Sequence, residues 1–191
     1  MKHYDIDQDM RYLQLLSQSF PTVAEASTEI INLQAILNLP KGTEHFLADI
    51  HGEYEAFQHV LKNASGNIKR KVNELFGTTL REQEKRELCT LIYYPEEKLE
   101  LVKQNEPDIN DWYHITLHQL VAVCRDVSSK YTRSKVRKSL PTDFSYIIQE
   151  LLHERTDDHD KAAYVNVIVD TIISTGRADD FIIAIANVIV P

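Results

Sequence analysis

Glycine is scarce in this chain. In 191 residues it occurs only as Gly42, Gly52, Gly66, Gly77 and Gly176. An all-β protein, or one with glycine-rich phosphate loops, carries more turn residues than that. Cysteine is scarcer, with Cys89 and Cys124 alone. Neither has a second cysteine at a metal-type spacing, which excludes a disulfide framework and a zinc ribbon. Two reduced, buried thiols in a cytoplasmic protein are expected. No apolar run reaches the ~18 residues of a membrane span, and the start, Met1-Lys2-His3-Tyr4-Asp5, lacks a secretory apolar core. Positive charge is also in deficit, since the formal net charge is -8. That balance argues against general nucleic-acid binding while leaving room for a local basic patch. Gly-x-Ser-x-Gly and Gly-x-x-x-x-Gly-Lys are both absent.

What remains is a chain of ordinary composition, 43% hydrophobic and 26% charged, long enough for one sizeable core or a core with a smaller lobe. Its apolar spacing is mostly helical. Helices are expected at 9–18, from a Thr22-Val-Ala-Glu25 capping box through Ile30, Leu33, Ile36 and Leu37 to a stop at Pro40, from Tyr54 to a stop at Gly66, and from Lys69 to near Gly77. A second capping box, Thr79-Leu-Arg-Glu82, should open a helix to Tyr94 that Pro95 breaks, and Glu96 to Gln104 should form a short charged helix. A longer helix at 111–130 buries Ile115, Leu117, Leu120, Val121, Val123 and Cys124. Later ones run through Phe144 to Leu152 and, capped by Asp157-Asp158, through Val165 to Ile173. Segment 177–190 is apolar almost all round and calls for burial on every face. With nothing downstream to cover it, either another subunit does so or the chain is the front part of a longer protein; the second reading is preferred.

Between Pro40 and Glu53 the pattern changes. Lys41-Gly42-Thr43 reads as a turn, Phe46 to Ala48 as a short buried strand, and Gly52 as the release into the next helix. Side chains two apart on an extended backbone point the same way. Asp49 and His51 can therefore converge as a carboxylate and an imidazole ligand for a divalent cation. The competing reading is an ordinary helix N-terminus with His51 exposed. The expected fold is accordingly mainly α with one short β-strand. It divides into an N-terminal helical segment at 1–40, a strand–loop–helix with a metal half-site at 41–66, and a helical region at 67–191.

Two further constellations stand out. His114 and His118 share a helix face at i, i+4, but Ile115 occupies the place of the glutamate a zincin needs, so exposed histidines are the better account. Lys130, Arg133, Lys135, Arg137 and Lys138 form a basic run that could clamp phosphate or serve as a solvated turn. Lys69-Arg70-Lys71 reads as a solvated helix face.

Taken together, strand–Asp49-Ile-His51-Gly52–helix resembles the first motif of the calcineurin-like metallophosphoesterases. Leu47-Ala-Asp-Ile-His-Gly-Glu-Tyr-Glu-Ala-Phe57, Ile92-Tyr-Tyr-Pro-Glu-Glu-Lys98, the stretch 127–138 and Gly176-Arg-Ala-Asp-Asp-Phe-Ile-Ile183 are similar to class III fructose-1,6-bisphosphatases of low-GC Gram-positive bacteria. The resemblance implies an α/β metallophosphoesterase fold with a large helical insertion. It also implies a two-metal phosphatase, with manganese as the divalent metal, that hydrolyses the 1-phosphate of fructose 1,6-bisphosphate in gluconeogenesis. Asp49 and His51 would be ligands of one metal. Apart from the resemblance, the basic run 130–138 could bind substrate or an anionic effector. The implied partner is a sugar bisphosphate, with no nucleic acid or membrane and with room for a homo-oligomer. The family's later motifs, Gly-Asp-x-x-Asp-Arg-Gly and Gly-Asn-His-Asp/Glu, do not occur here. The chain is thus expected to be an N-terminal part that is inactive alone. The alternative is a helical interaction module that docks through its apolar terminal segment.

Overall fold

The computed structural model describes residues 6–39, 44, 46–63, 65–153 and 159–190. The Lys41-Gly42-Thr43 turn and the Asp157-Asp158 cap lie outside the described residues. The chain falls into two compact units, Met1–Lys41 and Gly42–Pro191.

The first unit holds α1 (Ile6–Ser19) and α2 (Val23–Ile36). Pro21 separates them, and the capping box at Thr22 forms as the sequence indicates. The Thr22 hydroxyl accepts from the Glu25 amide at 3.2 Å, and the Glu25 carboxylate accepts from the Thr22 amide at 3.0 Å. The apolar face expected to pack does not do so, because Ile30, Leu33, Ile36 and Leu37 are all exposed and α2 buries no residue.

The second unit begins with an irregular stretch and continues as α3 (Tyr54–Asn63), α4 (Asn67–Phe76), α5 (Glu82–Tyr93), α6 (Pro95–Asn105) and α7 (Ile109–Ser128). It ends with α8 (Arg133–Ser139), α9 (Ser145–His153), α10 (His159–Ser174) and α11 (Ala178–Ile189). The long α7 is the post around which α4, α9, α10 and α11 pack, and α11 also contacts α5, α6 and α10. Leu117, Leu120, Val121, Val123 and Cys124 of α7 meet Phe181, Ile182 and Ile185 of α11 in one core. Ile115 departs from expectation and is exposed. It stands two residues from Leu117, roughly 200° round the helix, and Thr116 is buried instead.

Punctuation explains most helix ends. Pro95 occupies the first position of α6, where its missing N–H costs nothing. Asp108 caps α7 by accepting from the Asp111 amide at 3.1 Å. Gly176, at φ 71°, closes α10 with Arg177 N–H bonded to Ile172 and Gly176 N–H to Ile173, both at 3.0 Å. The second expected capping box sits differently. The Thr79 hydroxyl donates to the Phe76 carbonyl, and the helix starts two residues later, with Glu84 accepting from the Arg81 amide at 2.6 Å.

Two expectations are overturned. No described residue is in a β-strand, so the strand–loop–helix unit is not formed. Phe46, Leu47 and Ala48 lie in irregular, exposed backbone, with Phe46 90% accessible. A single extended segment gains nothing without a neighbour to complete its ladder, and the described remainder of the unit is helical. Second, the apolar terminal helix is not left uncovered. Phe181, Ile182, Ile185 and Ile189 are buried within this chain's own core, which accounts for their apolarity and removes α11 as a docking surface.

Candidate functional site

Asp49 and His51 do come together, by another route. His51 is the one non-glycine residue with positive φ among the described residues, at 52°, and Gly52 follows at 76°. Two successive left-handed residues turn the chain sharply, with the Glu53 amide bonded to Ile50 and the Tyr54 amide to Gly52. Gly52 adopts this conformation without penalty, whereas His51 is held at some cost, of a kind that clusters at functional sites. The turn leaves His51 Nε2 3.3 Å from Asp49 Oδ2. Both side chains are 77% exposed, so this is a solvent-facing pair and adds little stability.

A carboxylate oxygen and an imidazole nitrogen at that separation fit a divalent cation in kind. They do not fit it in number. Manganese takes roughly six donors, and no group of three or more His, Cys, Asp or Glu side chains is placed to hold a metal among the described residues. The pair offers two candidate donors, fewer than such a cation needs.

The His114/His118 pair has a different use. The rings lie 4.8 Å apart on α7, and His114 Nε2 is 3.6 Å from Asp170 Oδ1 on α10. Burial, then the neighbouring His114, lowers the His118 pKa against the opposing pull of Asp170. These groups form a polar seam between two helices.

The basic run is divided by the fold. Lys130 and Lys135 line a cavity of about 370 Å³, while Arg133, Arg137 and Lys138 do not. Lys62, Arg70 and Lys71 join the first two from the other side. These three are not evident from the sequence, in which Lys69-Arg70-Lys71 has the pattern of a solvated helix face and Lys62 belongs to no motif. Packing of α4 against α7, with a 2.8 Å ion pair between Lys71 and Asp126, carries Arg70 and Lys71 toward the end of α7 where Lys130 follows.

Comparison with known proteins decides the relationship. A family profile for Firmicute fructose-1,6-bisphosphatases matches residues 11–190. The chain belongs to this family. It is 78% identical over 184 residues to a fructose-1,6-bisphosphatase class 3 of Phocaeicola vulgatus, covering 96% of this chain and 28% of that protein. A Bacteroides fragilis protein of the same name is 79% identical over 181 residues, covering 95% of this chain and 27% of its own length. The Clostridium botulinum counterpart is 64% identical over 184 residues, at 96% and 28% coverage. The chain therefore spans just over a quarter of the curated relatives it matches. No solved structure matches it.

Proposed function

We propose that this chain is part of a fructose-1,6-bisphosphate phosphatase and supplies Asp49 and His51 as two ligands of a divalent cation, manganese in this reading. Its near-complete alignment with proteins named fructose-1,6-bisphosphatase class 3 carries the reading, and the convergence of the two donors at 3.3 Å supports it. The reaction would release fructose 6-phosphate and phosphate, as a cytoplasmic step of gluconeogenesis. When bound, divalent cations supply Lewis-acid charge for phosphomonoester hydrolysis. This chain's own part is positional. The left-handed turn at His51-Gly52 fixes the imidazole beside the carboxylate, and Asp49 sets the ring's orientation. The remaining ligands belong to the three-quarters of the family protein that this chain does not span.

The test uses a full-length class 3 enzyme carrying Asp49→Asn or His51→Ala at the matching positions. Each substitution removes a direct metal ligand, so phosphate release should fall by at least about 100-fold, and manganese bound at equilibrium should fall with it. Activity within a few-fold of the parent, with metal content unchanged, would sink the assignment.

A further inference from the structure

The cavity between α3, α4, the end of α7, α8 and the end of α11 has no part in the reading above, since neither Asp49 nor His51 lines it. Its lining joins the cations Lys62, Arg70, Lys71, Lys130 and Lys135 to the neutral donors Ser65, Asn67, Ser128 and Ser139. No aspartate or glutamate among the described residues lines it, although the chain as a whole carries an excess of acid. The rest of the lining is largely apolar and includes Leu61, Ile68, Val127, Val136 and the Val188-Ile189-Val190 end of α11. At about 370 Å³ it falls within the roughly 300–1,000 Å³ range of small-molecule sites.

The cations differ in how they are satisfied. Arg70 pairs with Glu74 at 3.0 Å and Lys71 with Asp126 at 2.8 Å. Lys62 donates to the Tyr93 carbonyl at 3.2 Å. Lys130 and Lys135 have no carboxylate partner among the described residues. Both ammonium groups instead lie against the ring of Tyr131, at 5.0 and 4.6 Å from its centroid. A ring face attracts each cation weakly and neutralises neither. Two like charges brought to one ring raise the local potential, and a dianion bound beside them relieves it.

We infer that this cavity binds a phosphorylated small molecule, its phosphate held between Lys130 and Lys135 and its organic part against the Val127 and Val188–Val190 wall. An extended nucleic acid does not suit a cavity of this size on an acidic chain. The inference is independent of the metal-ligand reading and survives if that reading fails.

The 191-residue chain, labelled with ¹⁵N, is titrated with inorganic phosphate against chloride at matched ionic strength. Saturable shifts are expected at the amides of Ser65, Asn67, Tyr131 and Val136. The double variant Lys130→Ala/Lys135→Ala should raise the Kd by at least about tenfold, the loss expected for charge-assisted hydrogen bonds. Arg137→Ala/Lys138→Ala removes the same formal charge outside the cavity and should hold the Kd within about twofold, because exposed charges are screened. Lys130→Gln/Lys135→Gln, with the chain's dispersion of amide signals retained, separates lost binding from lost folding. Absence of saturable shifts, or equal weakening by the two alanine doubles, overturns the site.

Discussion

Cys124 is fully buried on α7, and burial pushes its thiol from the ordinary value of 9.0 up to about 11. Between those values the unfolded chain has lost a proton that the folded chain still holds. Stability must therefore fall as pH rises through this window. The drop in unfolding free energy between pH 8 and pH 10.5, from urea titrations, should be larger for the parent than for Cys124→Ala, by an amount on the order of 2 kcal/mol. His118 acts at the other end of the scale. Its lowered pKa means that the unfolded chain takes up a proton below about pH 6.5 before the folded chain does, so stability falls as pH falls. His114 and Asp170 face it, and His118→Gln should flatten the loss between pH 7 and pH 5.5, read by the same urea titrations. The candidate ligands were legible in sequence as a pair, because Asp49 and His51 are two residues apart. The way they meet was not legible. Spacing alone suggested extended backbone, whereas the left-handed His51 depends on the turn that follows.

Among the helices, α11 has the most to lose from a single change. Phe181 is fully buried and meets Phe144 edge-on, with ring centroids 5.3 Å apart and planes at 80°. Phe181→Ala should cost about 3–5 kcal/mol in urea unfolding. The first turn of the same helix is tied to two neighbours, because Asp179 accepts from Tyr113 at 2.6 Å and from Lys103 at 2.8 Å. Tyr113→Phe, which removes one of these bonds while keeping the ring, should cost about 1 kcal/mol by the same measurement. In α2 the stakes are local. Thr22→Ala should destabilise that helix by about 1 kcal/mol, seen as faster amide exchange within α2. Caps and prolines were readable in advance because their chemistry is confined to four or five residues. The Thr79 cap was misplaced because its hydroxyl had a nearer carbonyl, that of Phe76, to serve. The strand at Phe46 failed for the opposite reason. A strand is stabilised by a partner, and no local pattern says whether one is present.

For the molecule as a whole, the described residues offer two metal donors together and no group of three. The 191-residue chain should therefore release no phosphate from fructose 1,6-bisphosphate above blank when manganese is added, checked by a colorimetric phosphate assay. Turnover at an ordinary enzymatic rate would require a ligand set that these residues do not supply. By itself, the sequence determined the helical character, the punctuation of most helices, the pairing of Asp49 with His51 and the likeness to the family. All of these rest on residues near one another in the chain or on motifs read in order. Only the tertiary structure decided that α11 is covered by its own chain, that Ile115 faces out, and that Lys62, Arg70 and Lys71 share a cavity with Lys130 and Lys135. Those outcomes depend on which helices pack on α7. Packing joins residues some sixty positions apart by burying apolar area, and buried area carries no signature of sequence distance.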